Sequence, residues 1–164
     1  VTDSPFLDWN FSATYRNFLI PLVSFWGRLS PNTKIKQSHC DGYAYSLLKE
    51  YHGEWTMTGL EDDILAAGNG INNTQGKVRN KARNIVVPIL VMHSSRKVDG
   101  CSWTPAFQHG DAVLDPAMLQ KTGQTLGHVR TVSTIDSGLH DLILSEKPVR
   151  EAAYDTIFNF IRRH

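Results

Sequence analysis

Two residue types in the C-terminal half of the chain could do proton-transfer chemistry together. His140 sits in "SGLHDLILS" (Ser137 to Ser145), just past a β-like run and just before apolar residues. A histidine acts as a general base when a carboxylate fixes its tautomer and stabilises the imidazolium that forms. Four aspartates compete for that role. Asp115 precedes Pro116 and is better read as a helix N-cap with proline at the first helical position. Asp141 adjoins His140, and neighbouring side chains rarely fold back onto each other with good geometry. Asp111 and Asp99 share the long polar loop after the preceding apolar run, and by spacing alone both stay open as the acid.

The elements that would position such a pair are legible in the pattern. Ile85 to His93, "IVVPILVMH", is nearly continuously apolar and β-branched, as expected of a strand buried on both faces. A polar loop from Ser94 to Gly110 follows, long enough to suggest function. A helix is expected from Asp115-Pro116 to about Leu126, stopping at Gly127. The next strand is Val129 to Ile135, and a terminal helix spans Ser145 to His164 with Val149, Ala152, Ala153, Ile157, Phe160 and Ile161 as its apolar stripe. This strand–helix–strand–helix rhythm predicts an α/β fold with parallel strands and flanking helices. In a parallel crossover, the loops after both strands emerge at one edge of the sheet, where open α/β sheets place their sites. Asp111 and His140, 29 residues apart, would meet there.

The N-terminal part differs in character. Residues 1–9 read as the end of a core strand and a loop, 10–84 as a mostly helical cap or insertion without a convincing strand, and 85–164 as the C-terminal core. Within the cap, Phe11 to Trp26 has helical spacing, with Pro21 expected to kink or end the helix. Further helices are expected at Tyr43 to Tyr51, at Leu60 to Gly68 with Gly68 as its stop, and at Lys77 to Arg83, with Asn69 to Gly76 as loop. The aromatic helix could line an acyl pocket or be ordinary cap core.

The remaining candidates are weaker. His39, His93, His109 and His128 read as structural or solvent-facing, and their spacing fits no zinc pattern. Cys40, beside His39, reads as a core cysteine, and Ser94 and Ser95 as ordinary loop polarity. With 41% hydrophobic and 20% charged residues, the 164-residue chain is globular. A net charge of +1 with no basic run argues against a nucleic-acid surface. No apolar run reaches the roughly 18–20 residues of a membrane span. Two cysteines make no disulfide framework and suggest a reduced, cytoplasmic setting. The opening "VTDSPF" reads as the end of a strand, so the chain is expected to start inside a larger protein.

The segment "VVPILVMHSSRKVDG", "GDAVLDPAMLQ" and "LGHVRTVSTIDSGLHDLILSEKPVREAAYDTIFNFI" resembles the C-terminal part of the α/β-hydrolase superfamily. It is most similar there to the lysophospholipase and monoacylglycerol-lipase-like serine hydrolases. "DSPFLDWN" resembles the segment after an earlier strand of these enzymes, and "YHGEW" their cap. The resemblance implies Asp111 as triad acid and His140 as base, with no metal or organic cofactor, acting on carboxylic esters of lipid-like substrates. A peptidase of the same fold is the nearest alternative in chemistry, and a non-catalytic binding or assembly module the alternative in class. The family's nucleophile lies in a G-x-S-x-G turn, and none occurs here. The chain is therefore expected to carry acid and base without the nucleophile, to be inactive alone, and to pair with a missing N-terminal half or a second copy of itself.

Overall fold

The computed structural model describes residues 1–5, 18–35, 63–99, 102 and 104–164. Its centre is a three-stranded parallel sheet ordered β1 (Thr2–Asp3), β4 (Ile89–Ser94), β5 (Arg130–Ile135). β4 is the reason the sheet forms. Its six residues are all buried, and its alternate side chains enter two different cores. Leu90 and Met92 pack with Ile135, Leu142 and Ala153 on one face. Ile89 and Val91 pack with Ala82 and Leu126 on the other. A fully buried side chain of this size contributes about 1.5–3 kcal/mol, so β4 is the strand on which both layers depend.

The two layers come from helices. α4 (Lys147–Arg163) covers the first face with Val149, Ala153, Ile157 and Phe160. α3 (Pro116–Gly123) crosses the second face between β4 and β5, completing the expected strand–helix–strand unit. Asp115 caps α3 by accepting from Ala117 N, with Pro116 in the first turn. The helix ends at Gly123 rather than near Leu126, where the chain must drop close to the sheet. A Cβ on Gly123 would lie 3.1 Å from Val91 Cγ1. Gly127 then turns the chain in the left-handed region (φ 56°) into β5.

β4 begins at Ile89, not at Ile85. Pro88 lacks the N–H a ladder needs, and Val86 is 80% exposed.

The N-terminal part departs further from expectation. α1 spans Ile20–Leu29 with Pro21 in its first turn, directly after two π-helical residues, Phe18 and Leu19, so the helical path changes character at the proline; the expected stretch from Phe11 to Asn17 lies outside the described residues. A two-stranded antiparallel pair, β2 (Lys34–Ile35) with β3 (Asp63–Ile64), stands where no strand was expected. Two-residue strands leave no periodicity to read. α2 (Leu65–Lys81) runs through Gly68, Gly70 and Gly76, so Gly68 is not a stop and residues 69–76 are helix rather than loop. Residues 6–17, 36–62, 100, 101 and 103 lie outside the described residues. The expected helix at Tyr43 to Tyr51, the "YHGEW" segment, His39 and Cys40 therefore lie there too.

Candidate active site

Both loops leave the sheet at its carboxyl edge. The loop after β4 is pinned to itself by a short parallel bridge. Val98 N donates to Asp111 O (2.8 Å) and Asp111 N to Arg96 O (2.9 Å). Gly110 allows that approach. A Cβ there would sit 2.6 Å from Val98 Cγ2 and 3.0 Å from Arg96 O. The bridge carries the Asp111 carboxylate under the loop after β5, where it is 0% exposed.

A buried carboxylate must be hydrogen-bonded to be tolerated, and this one is. Asp111 Oδ1 accepts from Val113 N (2.7 Å) and Leu114 N (2.8 Å). Asp111 Oδ2 lies 3.0 Å from His140 Nδ1. Because the carboxylate only accepts, Nδ1 carries the proton. That leaves Nε2 as the basic nitrogen of the neutral ring, on a side chain 28% exposed. No other described residue hydrogen-bonds Nε2. The pair therefore has a fixed, buried carboxylate and an oriented, partly exposed imidazole.

The other aspartates are placed elsewhere. Asp99 is exposed and ion-paired with Lys97, whose pKa rises chiefly through that hydrogen bond. Asp115 is the α3 cap. Asp141 caps the turn Leu142–Leu144 by accepting from Ile143 N (3.2 Å). Asp111 alone among them reaches His140.

Three serines that the sequence left as ordinary polarity, or passed over, hold the two loops together. Ser94 Oγ, fully buried, donates to Gly138 O (2.6 Å). Ser95 Oγ donates to Asp136 Oδ1 (2.8 Å) and accepts from Ser137 N (3.3 Å). The Ser95 hydroxyl is also the main reason the Asp136 carboxyl titrates below its ordinary range. Ser145 Oγ accepts from Leu139 N (2.9 Å), closing the His140 loop on itself. The one available signal was position: Ser94 and Ser95 stand at the carboxyl end of the most buried strand. Ser137 takes a left-handed conformation (φ 55°) at the turn out of β5.

His93 is buried on β4. Its Nδ1 donates to Ser94 O (2.7 Å), and Thr134 Oγ1 lies 3.4 Å from Nε2. That is a satisfied structural histidine. His109 takes part through its backbone, accepting from Arg96 Nε (2.8 Å) and donating its N–H to Ala106 O (3.0 Å), and His128 is exposed.

Asp3 was not anticipated. It ends β1, and its Oδ2 accepts from Leu142 N (3.0 Å), tying β1 to the His140 loop. Burial, then the neighbouring Asp141 carboxylate, push its pKa from 3.8 up to about 7.

No family model and no curated protein matches the chain. Among solved structures it is similar to the monoacylglycerol lipase of Paleococcus ferrophilus, with a TM-score of 0.65 at 14% identity. The match covers 99% of this chain and 58% of that one. The likeness supports an α/β-hydrolase-like fold.

Proposed function

We propose that Asp111 and His140 are the acid and base of a serine-hydrolase triad acting on carboxylic esters of lipid-like substrates. The observation that carries this reading is the 3.0 Å contact between His140 Nδ1 and a wholly buried Asp111 carboxylate. Its support from outside the chain is the fold shared with a monoacylglycerol lipase. His140 Nε2 would take the proton of an attacking serine and return it to the leaving group. Asp111 would hold the ring and balance its charge. With no G-x-S-x-G in the sequence, the serine and the oxyanion donors would come from a segment outside these 164 residues. A triad without its serine loses on the order of 10⁶-fold in rate, so the chain alone should not turn over ester.

The test is fluorophosphonate labelling and ester hydrolysis by the chain joined to its upstream reading frame. His140→Ala should lower kcat by roughly 10⁶-fold, and Asp111→Asn by roughly 10⁴-fold. Strong labelling unchanged by both substitutions would reject the assignment. So would an upstream frame with no nucleophile elbow. A non-catalytic binding module is the second reading, favoured by α1, which exposes Leu22, Phe25, Trp26 and Leu29. An inactive full frame would favour it.

A further inference from the structure

Ser94 ends β4 where the Asp111 loop and the His140 loop meet, and it is 0% exposed. Its Oγ lies 2.6 Å from Gly138 O, 3.3 Å from Arg96 O and 3.5 Å from Arg96 N. A hydroxyl carries one proton and two lone pairs. The much closer Gly138 O takes the proton, and a lone pair is left facing Arg96 N. Each partner leads to one member of the acid–base pair. Gly138 is buried two residues before His140, and a Cβ on it would overlap Leu142 Cδ2. Arg96 O accepts from Asp111 N at 2.9 Å, and Asp111 Oδ2 meets His140 Nδ1 at 3.0 Å. Ser94, Arg96, Asp111, His140 and Gly138 thus close a ring of contacts, with Ser94 as the member anchored in the sheet.

We infer that Ser94 is a positioning residue, whose hydroxyl sets where the His140 imidazole stands relative to the Asp111 carboxylate. Its proton is committed to a carbonyl and its side chain is shut from solvent, so it acts as a support and not as a nucleophile. Without the hydroxyl, the Gly138 carbonyl loses this partner inside a buried segment, and the backbone shifts toward another. That shift reaches the imidazole. Neither neighbouring serine makes the same link. Ser95 is exposed, and its bonds land farther from His140, on Asp136 and Ser137. Ser145 ties Leu139 N to its own loop rather than to the sheet. The positioning itself requires no substrate. Only its consequence for turnover rests on the triad reading.

Proton NMR of the whole chain tests it through the His140 Nδ1 proton. That proton is present in the imidazolium and in the neutral tautomer held by Asp111, so its loss reports movement away from the carboxylate. The resonance should be lost in Ser94→Ala. It should survive at reduced intensity in Ser94→Cys, which nearly fills the same space with a weaker donor and carries the test if Ser94→Ala does not fold. Ser95→Ala should reduce it less. Thermal unfolding of the same samples separates a moved ring from an unfolded chain. A resonance unchanged in Ser94→Ala and Ser94→Cys would overturn the inference, as would a loss in Ser95→Ala as large as that in folded Ser94→Ala. In the chain joined to its upstream reading frame, Ser94→Ala should lower kcat by roughly 10- to 100-fold with KM held, the scale of a misplacement of about 1 Å. A raised KM with kcat intact would also overturn it. An inactive unsubstituted frame would reject the triad reading and leave the resonance test standing.

Discussion

At the scale of single residues, Asp3 makes the pH dependence of stability readable. Its carboxyl titrates near 3.8 when unfolded and near 7 when folded. Between those values the folded chain keeps a proton that the unfolded chain has released, so stability falls as pH rises through the window. The contribution is complete below about pH 4 and lost as pH passes 7. Asp3→Asn should match wild type near pH 4 and exceed it at pH 8 by about 1–3 kcal/mol, discounting for partial solvent screening. Urea unfolding at the two pH values measures this, and a wild type whose stability rises between them would contradict it. Asp3 gave no advance signal because an aspartate at a strand end reads as loop polarity. Its meaning depends on Asp141, which lies 138 positions away along the chain. The meeting of the two loops was legible for the opposite reason: parallel β4 and β5 bring them to one edge, while the choice of Asp111 over Asp99 came from the family resemblance.

At the scale of elements, glycines separate what the pattern shows from what it hides. α2 carries Gly70 and Gly76 although a Cβ at either would meet open space. Sequence reading took these glycines for a loop because glycine costs a helix roughly 1 kcal/mol relative to alanine. Tertiary packing, seen in the buried Gln75 and Ala82, overrides that preference. Gly70→Ala and Gly76→Ala should therefore each stabilise the chain by about 0.5–1 kcal/mol. Gly127→Ala should do the reverse, costing about 1–3 kcal/mol. Its φ is left-handed, and a Cβ would press within 3.1 Å of Ile85 O and Ile89 Cδ1. Thermal unfolding of the three variants checks the signs. β4, α3 and α4 were recoverable because buried periodicity and caps are local. β2 and β3 were not, because their pairing is long-range and each is two residues long.

At the scale of the whole molecule, the sheet is unevenly covered. β1 pairs with β4 along one side only, and among the described strands nothing pairs with its other edge. α4 buries Val149, Ala153, Ile157 and Phe160, yet Tyr154, Phe158 and Ile161 form a second apolar stripe one face over, with Phe158 54% and Ile161 58% exposed. An open strand edge and an exposed apolar stripe each favour association. We expect the chain to sediment above its monomer mass of 18.4 kDa at micromolar concentration. Phe158→Ser with Ile161→Lys should shift it toward monomer. A monodisperse monomer in the unsubstituted chain would contradict that expectation.

The hydrogen bonds that build the acid–base pair all arise between residues 94 and 145, with β1 adding the one from Asp3. Among the described residues, none comes from α1, α2 or the β2–β3 pair. The described residues between β1 and β4 thus reach the pair through packing on the sheet, as Ala82 does against Ile89 and Val91, and not through hydrogen bonds to it. Surface changes at the described residues of that segment therefore leave the hydrogen bonds that set the distance from His140 to Asp111 in place.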